Sequence, residues 1–190
     1  MDSIRTTDTT SDMKANMTPG TTSSGMLTGT FRDRDSAENA YSAMVDRGYS
    51  KDDINVMMSP ETREKYFAHG PVTDLGNKSA KGGATGAAIG GVTGVIVGVL
   101  AAAGTLAVPG LGIILAGPLV AALAGLGAGG VAGGLIGALV GAGIPEAHAK
   151  VYETDIKNGG IVLGTKTKNA EDAAYLEDAW RKHNGENIYR

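Results

Sequence analysis

Cysteine is missing from this chain of 190 residues, so disulfides, thiolate nucleophiles and cysteine-ligated zinc are excluded. A basic excess is missing too. With 17 Lys and Arg against 20 Asp and Glu, the formal net charge is −3, and no basic surface recommends nucleic acid as a partner. The first residues show no basic region followed by an apolar run. The expectation is therefore no secretory signal, with the polar parts remaining in the cytoplasm. The longest absence is internal: the 64 residues from Gly82 to Pro145 contain no charged residue, His, Asn or Gln.

Glycine fills that gap. Twenty of the 30 glycines lie there, spaced rather than scattered. Gly82, Gly86, Gly90, Gly94 and Gly98 fall four apart, and after Val108-Pro109-Gly110 the period resumes at Gly117, Ala121, Gly125, Gly129, Gly133, Gly137 and Gly141. An interval of four places a ridge without side chains along each of two helices, expected over about 83–107 and 118–143. In water each helix-interior glycine costs about 0.5–1 kcal/mol against alanine, and close helix–helix contact in an apolar medium is the natural compensation. About 25 helical residues rise roughly 37 Å, enough to cross a hydrocarbon core of about 30 Å. The connection, residues 108–117, carries no charge. Arg63, Lys65, Lys78, Lys81, Lys150 and Lys157 on the flanks favour the cytoplasmic side. The glycine rows are the expected helix-packing and self-association residues, with Ile89, Val92, Ile96, Val99 and Leu100 turned to lipid or partners.

The flanks are polar and periodic. Residues 1–24, rich in Thr, Ser and Asp, read as a disordered tail. Residues 25–81 hold the first half of an α/β domain and a linker. Met26–Phe31 reads as a strand. A helix capped by Asp35 or Ser36 follows, with Glu38 reaching back and an inward face of Ala37, Ala40, Tyr41, Met44 and Val45. Gly48-Tyr49 resembles a Schellman stop, Asp53–Met58 reads as a second strand, and Ser59-Pro60 starts a short helix. The second half, residues 146–190, begins with a helix burying Ala149, Tyr152 and Ile156. The strand Ile161–Lys166 follows. Asn169 then caps a helix facing inward through Ala173, Leu176 and Trp180, and Asn187–Tyr189 makes a last strand. Two strand–helix–strand halves predict an α+β fold, a ferredoxin-like split βαβ sandwich with one four-stranded antiparallel sheet. Because both halves belong to one domain, the ends of residues 82–145 must meet, and the insertion is expected to be a glycine-zipper helical hairpin.

Chemistry is sparse. Gly125-Leu126-Gly127-Ala128-Gly129-Gly130 matches G-x-G-x-x-G, but glycine density explains it and no strand precedes it. His69, His148 and His183 stand alone, without partners at metal-ligand spacing. Asp52-Asp53, Glu171-Asp172 and Glu177-Asp178 suit cap and solvent-face roles, and no nucleophile–base pair is present. Tyr41, Tyr175 and Trp180 suit core or interface. The expectation is a non-enzyme with no cofactor, no metal, no nucleic acid and no small-molecule substrate.

Gly29-Thr30-Phe31, the Ser36-Ala37-Glu38 helix, and Gly48-Tyr49 before Asp53-Ile54-Asn55-Val56 resemble the bacterial general stress protein (heat-induced stress protein) domain. The middle resembles a glycine-zipper two-helix membrane segment. Gly143-Ile144-Pro145-Glu146, Tyr152-Glu153 and Asn158-Gly159-Gly160-Ile161-Val162-Leu163 look like the ending of the same proteins, so the resemblance covers about residues 25–185. It implies a stress-response protein of the membrane or envelope and brings no catalytic residues. The expectation is a homo-oligomeric, lipid-contacting protein of the bacterial inner membrane with both polar flanks cytoplasmic. The alternatives are an oligomeric pore or permeability-modulating protein, and a soluble, cytoplasmic oligomer with the hairpin buried at its interface.

Overall fold

The computed structural model describes residues 25–67, 95–102, 106–108, 112–120 and 134–190. In chain order these form β1 (Met26–Phe31), α1 (Arg34–Asp46), β2 (Ile54–Met58), α2 (Pro60–Phe67), α3 (Val95–Ala102), β3 (Leu106–Val108), β4 (Ile113–Ala116), α4 (Gly134–Gly141), α5 (Glu146–Lys157), β5 (Ile161–Lys166), α6 (Ala170–Lys182) and β6 (Glu186–Tyr189). The class is α+β. The expected tail over 1–24 lies outside the described residues.

Local chemistry sets most boundaries. Asp33 caps α1, accepting from the Ser36 amide at 2.8 Å, so the cap falls ahead of the expected Asp35 or Ser36. Glu38, freed from reaching back, is buried and pairs with Arg34 at 2.9 Å. Gly48 ends α1 in the left-handed region (φ 86°), and the Tyr49 amide bonds back to the Met44 carbonyl, the Schellman arrangement the sequence suggested. Asn169 caps α6 by accepting from the Asp172 amide at 2.7 Å. At the other end of α6 Asn184 takes the left-handed conformation (φ 57°).

The sheet has six strands in the order β3-β4-β2-β5-β1-β6, with every described pairing antiparallel. Four were expected. The other two come from inside the glycine-rich stretch: Ile113–Ala116 pairs with β2 (Val56 with Ala116, Met57 with Leu115, Met58 with Ile114), and Leu106–Val108 pairs with β4. Val108 and Ile113–Ala116, expected in the interhelical loop over 108–117, are thus strand, and so are Leu106 and Ala107, expected at the end of the first helix. Two short apolar runs flank Pro109-Gly110, and an unpaired β2 edge beside them rewards extension over helix, because pairing satisfies backbone groups that an apolar core leaves without water.

Side-chain alternation divides the core in two. On one face Leu27, Phe31, Ile54, Val56, Met58, Ile161 and Leu163 pack against α1 and α6, with Trp180 edge-on to Phe31 at 5.7 Å between ring centres. Ile96 and Leu100 of α3 join this core, 0% and 6% exposed, so these two turn inward rather than to lipid. Val45 departs the other way and lies exposed. On the opposite face Met57, Ile113, Leu115 and Val162 pack against α5, through Ala149, Tyr152 and Ile156, and against Leu135 and Leu139 of α4. Helices therefore cover both faces.

Candidate functional site

Of the eleven glycines expected to pack helices, Gly82, Gly86, Gly90, Gly94, Gly125, Gly129 and Gly133 lie outside the described residues, leaving Gly98, Gly117, Gly137 and Gly141. Gly137 and Gly141 keep their interval of four on one helix, α4. Gly98 is on α3 and Gly137 on α4, and among the described residues an added Cβ at either meets nothing within 4 Å. Gly141 ends α4, exposed. Gly117 is not on a helix: it sits just after β4, at φ 106°, and a Cβ there would strike the Ile54 carbonyl oxygen and come within 2.9 Å of Asn55 Cα.

That close approach belongs to a joint which the pattern did not reveal. Asn55, 1% exposed and second in β2, points to the face where Met57 packs. Its Oδ1 accepts from the Leu119 amide at 2.8 Å, and its Nδ2 donates to the Gly164 carbonyl at 3.3 Å. An Asn buried in an apolar sheet is costly unless satisfied, by about 1–3 kcal/mol. Here the partner that completes it comes from the insertion. Three independent devices dock residues 113–119 onto β2: strand pairing, the glycine that lets the backbones touch, and the Asn55 cap. The available signal was Asn55 itself, a polar residue at an inward strand position, together with Gly112 and Gly117 bracketing Ile113–Ala116.

A second polar cluster fixes α5 to the sheet. Asp155, 5% exposed, accepts from Thr30 Oγ1, Asn187 Nδ2 and Arg32 Nη2, each at 2.8 Å. The Tyr152 hydroxyl donates to the Asn187 carbonyl at 2.7 Å and so accepts from Thr28 at 2.8 Å. Burial, the largest influence, pushes the Tyr152 hydroxyl up to about 12. Arg32 also reaches Glu186, the contact that most raises its already high basicity. Asn187 adopts φ 49° where the pairing of β1 with β6 is irregular, which turns both its amide and its carbonyl toward α5.

A third cluster joins the end of α1 to the start of α6. Arg47 binds Asp172 at 2.7 Å and Glu171 at 2.9 Å, and lies over the Tyr175 ring at 4.9 Å. The Tyr49 hydroxyl accepts from the Lys168 amide and contacts Asp172, while desolvation raises its pKa. Tyr175 is 47% exposed, a stacking platform for Arg47 rather than core. His148 stacks on Tyr189 at 4.3 Å between ring centres. Asp53, expected at a strand start, lies instead in a short 3-10 turn and reaches back to its N-cap Ser50, whose hydroxyl and amide hold the Asp53 carboxyl below the usual range.

Among the described residues, every buried side-chain nitrogen and oxygen has a partner within the fold, and no three His, Asp or Glu gather to hold a metal. Among the described residues a groove of about 340 Å³ lies between α1 and α6, with Asn39, Asp46, Tyr175, Asp178 and Lys182 in its walls. Asp178 and Lys182 are paired to each other there at 2.7 Å. No helix among the described residues is long and apolar enough to cross a membrane. Against protein-family models, curated proteins and solved structures, the chain finds no match.

Proposed function

We propose that this is a non-enzymatic, stress-associated membrane protein that works by self-association. The glycine-rich stretch contacts lipid and other copies, and a small domain of the ferredoxin-like type stays on the cytoplasmic side. The observation that carries the reading is the run of 64 residues without charge, inserted between the halves of one domain and bearing glycines at intervals of four. Gly98 and Gly137 support it: no described atom fills the space a side chain would take there, which suits close approach of another helix. The ferredoxin-like assignment is supported by the order β2-β5-β1-β6 and by α1 and α6 packing together on one face. The stress association rests on the resemblance of residues 25–185 alone.

A second reading is a soluble oligomer with the glycine-rich stretch at its interface. What favours it is the burial of Ile96, Leu100, Ile113 and Leu115 in the domain's own cores. Carbonate extraction of native membranes separates the two. Retention until detergent is added, with detergent-solubilised protein larger than a monomer, supports the membrane reading; complete release by carbonate supports the soluble oligomer. A pore is disfavoured by the lack of charged groups to line a conducting path, and dye leakage from proteoliposomes is the result that would restore it.

A further inference from the structure

The pairing of β4 with β2 limits how this chain can meet a bilayer. Resting on the membrane reading above, we infer that the protein contacts lipid from one side only, its charge-free stretch leaving and rejoining the same aqueous side rather than crossing as one spanning hairpin.

Residues 106–116 are the midpoint of that stretch, and a spanning hairpin carries them to the far side. In the fold Leu106–Val108 and Ile113–Ala116 are β3 and β4, in the same sheet as the polar flanks. Moving them would strip β2 of its edge partner over Val56–Met58, uncover Met57, expose Ile113, Ile114, Leu115 and Ala116, and leave the Asn55 Oδ1 without the Leu119 amide. The positive φ and backbone contact of Gly117 have no use except in the docked arrangement.

Chain length closes the remaining route. With β4 docked, any segment that enters the bilayer must also return, and two helical crossings need about 40 residues. Between α2 and α3, whose Ile96 and Leu100 are anchored in the core, lie residues 68–94; between β4 and α4, anchored through Leu135 and Leu139, lie residues 117–133. Neither is long enough to cross twice. Both suffice to dip into one leaflet.

The absence of cysteine makes the test direct. Single-cysteine variants Gly112→Cys and Ala147→Cys, both at exposed positions, are treated with a membrane-impermeant maleimide in intact cells and in inverted membrane vesicles. Pro118→Cys, also exposed, serves if Gly112→Cys does not accumulate. A Met57→Cys/Leu115→Cys pair, partners across β2 and β4, reports docking by disulfide formation in the membrane pellet. The expected result is that the tip and α5 reporters are modified together in vesicles, neither is modified in intact cells, and the disulfide forms. Modification of Gly112→Cys in intact cells while Ala147→Cys stays protected overturns the inference alone. Release of all the protein by carbonate overturns the membrane reading, and the inference with it.

Discussion

Replacing Gly117 by alanine adds one methyl group, and the structure says where it goes. The residue sits at φ 106°, a conformation that costs an L-residue about 1–3 kcal/mol. The new Cβ meets the Ile54 carbonyl oxygen and lies 2.9 Å from Asn55 Cα. Neither atom belongs to a flexible side chain. Ile54 and Asn55 are held by β5 through Thr165 and Gly164, so the turn after β4 must lift instead, and the bond from the Leu119 amide to Asn55 lengthens or breaks. Adding about 1–2 kcal/mol for that displacement gives a loss of about 3 kcal/mol, or a midpoint lower by about 6–12 °C in a chain of this size. Gly98→Ala is the internal control. It lies in α3 with no described atom within 4 Å of an added Cβ, so within one chain alanine gains about 0.5–1 kcal/mol of helix propensity. Urea unfolding followed by the single tryptophan, fully buried Trp180, measures both. If Gly117→Ala matches the wild type within about 0.5 kcal/mol, the docking joint is not as described.

Asn55→Ala leaves the Leu119 amide and the Gly164 carbonyl without their partner, an expected cost of about 1–3 kcal/mol, and hydrogen exchange at Leu119 should accelerate beyond the global change. Alkaline pH should unfold the protein partly through Tyr152. Its hydroxyl ionises at about 12 in the fold against 10 ordinarily, so the stability it lends is complete below pH 10 and is lost as pH rises through about 12. At about 1.4 kcal/mol per pH decade that loss totals about 2–3 kcal/mol, and Tyr152→Phe should remove this part of the decline in a circular-dichroism titration. The remainder belongs in part to Tyr41, whose burial raises it the same way. Gly29→Ala should destabilise by about 1–3 kcal/mol and shift Trp180 emission, because its Cβ would lie 3.1 Å from the indole ring, edge-bonded to Phe31. Gly90→Leu and Gly133→Leu should reduce oligomer size in crosslinking; unchanged size would count against glycine-mediated association.

Much of the polar domain was legible without coordinates, because its instructions are local. Ser59-Pro60, Gly48-Tyr49 and Asn169 act on neighbours within five residues, and the alternation from Met26 to Phe31 assigns each side chain to a face before any partner is known. The N-cap of α1 falls two or three residues ahead of the expected position because Asp33, Asp35 and Ser36 all qualify and only the chain's path out of β1 selects Asp33. The glycine-rich stretch was another matter. Its period of four is a helical signal, and it is silent about what lies beside Ile113–Ala116.

What the sequence determined by itself was the α+β class, the two strand–helix–strand halves, and a long insertion with no charge to hold it in water. What only the tertiary structure decided was that the insertion's midpoint belongs to the sheet. An apolar run of four residues satisfies its backbone either within a helix or against a strand, and the choice is set by an edge more than 50 residues away in sequence: β2, with Asn55 waiting for an amide and Ile54 leaving room for nothing larger than glycine.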